Sequence, residues 1–183
     1  MQELEGHGDH GGAHSGPLVI PVSITISILA VLVAAVTLLG HRAHTEELLL
    51  QGQAMNQWAY YQAKNGRMNM DQAIADLLSV VATVDKEKAE AVRSKYHQAV
   101  ERYAEDKDEI SEKATELQKE RDLQQRRADH FDAGEGILEF ALIICSLTLL
   151  TNKKFFWFSG IAIGVIGVGA ALTGFLVRPW SMP

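Results

Sequence analysis

The chain has 183 residues, a formal net charge of −6 at pH 7 and one cysteine, Cys145. An acidic balance with no basic face excludes a nucleic-acid-binding surface, and a lone cysteine excludes an intramolecular disulfide. Three long apolar stretches exclude a soluble globule, because such stretches are what a helix needs to cross a bilayer core of ~30 Å.

Residues 1–16 form a tail of glycine, histidine and acids (EGHGDHGGAHSG). It has nothing apolar to bury and is expected to be disordered. Its His7, His10 and His14 have the residue type of a transition-metal site, but the tail offers no closed ligand set, so no metal and no cofactor is expected there. Residues 17–40 are predicted to be the first transmembrane helix. The run Leu18 to Leu39 is uncharged, longer than a signal-peptide core and without a basic leader, which predicts a retained span. Within it, Ser23, Ser27, Ala30 and Ala34 recur near a period of 3.5. Stripes of small residues let helices approach closely in lipid, where packing drives association.

Residues 41–132 hold 14 Lys+Arg and, with the glutamate at 135, 19 Asp+Glu. They contain no proline and are rich in Ala, Glu, Lys, Gln and Leu, all strong helix formers. The expectation is an extramembrane helical hairpin. Its first arm continues out of the first span, since only Gly40 and Gly52 interrupt it before Lys64, at about 1 kcal/mol each. On that arm Met55, Trp58, Tyr61 and Gln62 form an aromatic- and amide-rich stripe, the kind of face that suits a specific helix–helix or protein–protein contact. Asn65-Gly66 reads as a cap or kink. A turn is predicted at 83–85, with Asp85 or Thr83 as N-cap. The second arm begins near Lys86. Ala89, Tyr96, Tyr103, Ile110 and Leu117 recur every seven residues among charges of both signs, which is coiled-coil-like patterning. So thin a stripe predicts oligomerisation, which buries more of each arm.

Residues 133–152 and 155–177 are predicted to be the second and third transmembrane helices. Ile137 to Leu150 is too short to span alone, so the second helix must take in Glu139. A carboxylate at that depth needs a partner or a raised pKa. Arg42, Glu135, Glu139 and Arg178 all fall on one side of the membrane and form a candidate charge cluster there. In the third helix Gly160, Gly164, Gly167, Ala171 and Gly174 repeat the small-residue stripe at the spacing of the first. The first and third helices run in the same direction, so a parallel pair is expected. Lys153 and Lys154 in the last loop argue for a cytoplasmic loop, and hence for a hairpin on the extracytoplasmic side, while the arginines near the other side oppose it.

The string Gln53-Ala54-Met55-Asn56-Gln57-Trp58-Ala59-Tyr60-Tyr61-Gln62-Ala63-Lys64, with Lys153-Lys154-Phe155-Phe156-Trp157 after the second span, resembles a bacterial family of uncharacterised membrane proteins, domain of unknown function 4337. The resemblance covers nearly the whole chain. It implies an all-α fold of three transmembrane helices, with a long helical hairpin inserted between helices 1 and 2. It implies no activity. The chain departs from the family in lacking a basic residue just before the first span.

No nucleophile–base pairing or phosphate-binding glycine loop is visible, so no enzyme is expected. The expected role is a non-catalytic protein of the bacterial inner membrane: an oligomeric scaffold, anchor or accessory subunit of a larger membrane complex. A small channel or transporter-like assembly with Glu139 at its mouth is one alternative. A metal- or pH-responsive sensor using the histidines is another. The expected partners are the lipid bilayer, further copies of the chain and a larger membrane complex, with no nucleic acid.

Overall fold

The computed structural model describes residues 17–81 and 85–178. The tail histidines His7, His10 and His14, the turn residues Thr83 and Val84, and Trp180 lie outside the described residues. Among these, the chain is three helices and no strand: α1 (Val19–Val80), α2 (Lys86–Thr151) and α3 (Lys154–Leu176). Each contains a stretch long and apolar enough to cross a membrane.

α1 runs unbroken through Gly40, Gly52 and Asn65-Gly66. No helix end forms at Asn65-Gly66, because isolated glycine weakens a helix without ending it. α2 is likewise continuous through residues 132 and 133. Asp85 caps it: the Lys88 amide donates to Asp85 Oδ1 at 3.1 Å, and Lys88 Nζ lies 2.8 Å from Oδ2. Those bonds, the lysine side chain first, hold the Asp85 carboxyl below its ordinary value. α2 ends at Asn152, which has φ 53° and donates its amide to Thr148 O at 2.8 Å. A left-handed residue just past the last turn is the usual way to stop a helix, and asparagine tolerates it. Lys153 then starts α3 with extended backbone.

The chain divides into two compact units. The first comprises the described residues up to His41 together with Arg127–Val177. Its core is the seam between α2 and α3. The buried residues of α3 are Gly160, Gly164, Gly167, Ala171 and Gly174. A Cβ at Gly160 would overlap Cys145 Sγ. One at Gly167 would lie 2.9 Å from Leu138 Cγ, and one at Gly174 would lie 3.0 Å from the Phe131 ring. α2 contributes Gly134, where a Cβ would come within 2.8 Å of the Ala171 amide nitrogen. The partner number falls as the α3 number rises, so the two helices are antiparallel and in register. Phe131 also meets Phe175 edge-on, with centroids 5.2 Å apart.

α1 joins this pair with a different face from the one its small residues suggested. Its buried residues are Val22, Leu29, Val36 and Gly40. Ser23, Ser27, Ala30 and Ala34 are all exposed. α1 and α3 do run parallel: Leu29 sits against Gly164, and Trp157 Nε1 donates to Thr25 Oγ1 at 3.0 Å. The stripe on α3, however, is spent mainly on α2. Val22, Leu29 and Val36 fill the remaining space, so α1 presents Leu and Val inward and its serines outward.

The second unit comprises Arg42–Arg126 and Arg178 among the described residues. The polar part of α1 lies antiparallel to the polar part of α2. Its buried apolar residues are few and small: Ala43, Ala54, Ala75, Ile110 and Ala114. So narrow a core leaves much of the fastening to polar and aromatic side chains.

The first unit yields a test with its own control. Gly160→Ala and Gly134→Ala should each destabilise the protein by about 1–3 kcal/mol through overpacking. Gly169→Ala, where a Cβ meets nothing within 4 Å, should match or exceed wild type. Thermal melts in one detergent would rank the three.

Candidate functional site

The residues with the most specific geometry lie where the signature of α1 meets α2. Gln57, Tyr60, Tyr61 and Lys64 are spaced i, i+3, i+4, i+7 and therefore share one helix face. Tyr103, Asp106, Lys107 and Ile110 have the same spacing on α2. Lys64 Nζ donates to Asp106 Oδ2 at 2.5 Å and lies 5.4 Å and 5.1 Å from the ring centroids of Tyr60 and Tyr103. The ammonium thus has a carboxylate on one side and two aromatic rings around it, each of which favours the charged form. One position along, Lys107 Nζ donates to Asn65 Oδ1 at 2.8 Å and lies 5.2 Å from the Tyr61 centroid. Trp58 completes the row, its ring edge-on to Tyr61 with centroids 5.5 Å apart.

This arrangement is a clamp. The Lys64 side chain is only 15% exposed. The Asp106 hydrogen bond raises its pKa above the ordinary 10.5, against the opposing pull of desolvation. Nothing in the cluster is a nucleophile beside a base. Beside it, Gln57, Tyr60, Asp106, Glu109 and Lys113 line an open polar cleft.

The four residues of the expected interaction face separate. Trp58 and Tyr61 are half-buried in the clamp, whereas Met55 and Gln62 are exposed. In the clamp's α2 half, Tyr103 and Ile110 lie on the seven-residue stripe read from the sequence, but the pairing of Asp106 and Lys107 with Lys64 and Asn65 escaped that reading. The matching i, i+3, i+4, i+7 spacing of Tyr103, Asp106, Lys107 and Ile110 is the signal that would have found it.

The expected charge cluster also resolves residue by residue. Glu135 is half-buried and accepts a hydrogen bond from Thr37 Oγ1 at 2.6 Å. A hydroxyl on α1 thus meets this acid. Glu139, one turn further, is exposed and has no hydrogen-bond or ion-pair partner among the described residues. Gly40, the last residue of α1 before His41, packs against Asp132, and Glu139 lies two turns beyond, roughly 10 Å further along the helix. Arg42 and Arg178 are exposed and belong to the second unit. Within the first unit, Cys145 is fully buried against α3. No group of three or more His, Cys, Asp or Glu side chains able to hold a metal occurs among the described residues.

Fold and sites together define an all-α protein with three helices of membrane-crossing length and a polar helical pair fastened by a lysine–tyrosine clamp. The profile of the family described as Domain of unknown function (DUF4337) matches residues 18–177, and the chain belongs to that family. Neither a curated protein nor a solved structure matches it.

The clamp has a pH signature. A lysine whose folded pKa is raised contributes stability that is complete below 10.5 and is lost as pH rises through the folded value. Lys64→Met should lower the thermal midpoint at neutral pH and flatten its fall on the alkaline side. Far-UV circular dichroism melts of both proteins across that range would show the difference.

Proposed function

We propose that this chain is a non-catalytic integral protein of the bacterial inner membrane, an oligomeric scaffold, anchor or accessory subunit of a larger membrane complex. In this reading the three apolar segments cross the bilayer, and the polar parts of α1 and α2 form a hairpin outside it, on the extracytoplasmic side. Supporting it, the best-formed polar constellation is a fastener between helices: Lys64 held by Asp106 and two tyrosines. Groups arranged to hold a helical pair in register suit a presented surface more than a reaction. Membership of the family adds the class of chain and no activity.

Native mass spectrometry in a mild detergent tests this reading. It expects a discrete oligomer, and a strictly monomeric species would remove the scaffold.

A second reading is favoured by Glu139, an exposed carboxylate near the start of the apolar run Ile137–Leu150. In this reading a carboxylate facing lipid is costly unless it is paired or reaches water. Several copies arranged around an axis would turn that face toward water and make Glu139 the mouth of a cation path. Glu139→Gln would then reduce ion flux into liposomes at least several-fold. A wild-type protein that conducts nothing would end this reading.

A further inference from the structure

The polar half of α1 has a second long face, opposite in character to the charged surface of α2. Leu48 is 66% exposed, Met55 64%, Met70 60% and Leu77 60%. They are not scattered. Leu48, Met55 and Gln62 are seven residues apart, and so are Gly52, Ala59, Gly66 and Ala73. Together the two rows alternate by three and four, the spacing of a coiled-coil seam. Every one of these residues is exposed, and a Cβ at Gly52 or Gly66 would meet nothing within 4 Å. The flanks are uncharged as well: Leu49, Asn56, Ala63 and Met70 lie on one side, Gln51 and Trp58 on the other. From Leu48 to Ala63 the chain carries no charged residue at all.

We infer that this face is a self-association seam, on which α1 of a second copy of the same chain packs in parallel. The inference deepens the oligomeric reading above and rests on it.

Three arguments select a second copy. The first is charge. A face without charge fits a partner helix that is also uncharged, and the region of α2 from Lys86 to Asp129 is charge-dense. A second α1 seam supplies the match. The second is shape. Glycine and alanine in one row let two helices approach to the short end of the usual 8–10 Å, while Leu48 and Met55 in the other row fill the layers between. The third is area. Leu48 to Ala73 is roughly 39 Å of helix. Two helices touching along that length bury on the order of 900 Å² in total, the size of a weak interface in free solution. Copies inserted in one bilayer in one orientation already share the direction of α1, which cuts the entropy cost of association. Parallel pairing sets each residue opposite its own counterpart. Gln62 then meets Gln62, and Asn69 one heptad on meets Asn69, polar layers of the kind that specify register.

The test uses the full chain in native membranes, with Cys145→Ala as background. Single cysteines are placed at the seam, Ala59→Cys and Gly66→Cys, and on the exposed surface of α2, Glu112→Cys. Mild oxidation should give disulfide-linked dimers at the two seam positions at least tenfold faster than at position 112. Equal rates, or no dimer at the seam, would overturn the inference. Seam cysteines shielded from a water-soluble maleimide in membranes, yet never cross-linked, would overturn it too, by showing that lipid covers the face. A second variant, Ala59→Glu, should abolish the oligomer in native mass spectrometry while leaving the thermal midpoint within a few degrees of wild type. If the oligomer survives that change, the seam is wrong and the oligomeric reading stands on other contacts. A monomeric wild type removes both.

Discussion

The close approach of α3 to α2 is the constraint on which the first unit depends. Two helices can run this near each other only if one of them lacks side chains along the contact. At Gly160, Gly167 and Gly174 even a methyl group would intrude on Cys145, Leu138 or Phe131. In an apolar segment there is no difference in hydrophobicity between a neighbouring helix and a lipid tail, so contact area and fit must hold the pair together. The glycines make that fit possible, and the single register they permit places every other group. It sets Glu135 beside Thr37 and carries Glu139 outward.

The second unit solves the same problem with opposite chemistry. Its buried apolar residues are mostly alanines, too little to fix one register against a partner as charged as α2. Lys64 and Lys107 supply the missing specificity. Each has a polar partner and a tyrosine ring on the facing helix, and no one-residue slip keeps all of these contacts. The aromatic string from Gln53 to Lys64 therefore carries the α1 half of this clamp. Its aromatic and amide residues read as one stripe in sequence, but the helix turns Trp58 and Tyr61 toward α2 and leaves Met55 and Gln62 outside.

What the packing does not use is as informative as what it does. The small residues of the first α1 segment, the Glu139 carboxylate and the Leu48–Ala73 row all face outward. A carboxylate within an apolar run is costly wherever water is excluded, and a long uncharged row on an otherwise charged helical pair leaves apolar surface in water.

Much of this was legible without coordinates. An uncharged run from Leu18 to Leu39, the paired runs near the C-terminus and a proline-free polar insert between them can only be helices of this order and length. Asp85 as a cap and the buried α3 stripe from Gly160 to Gly174 follow from local chemistry and period. Partner choice does not. A period says that residues share a face, and it is silent on what that face meets. Two stripes of equal spacing, Ser23–Ala34 and Gly160–Gly174, look alike as text. Only the packed bundle sends one outward and the other against α2, because glycine admits a neighbouring backbone that serine and alanine, with their Cβ atoms, hold further off.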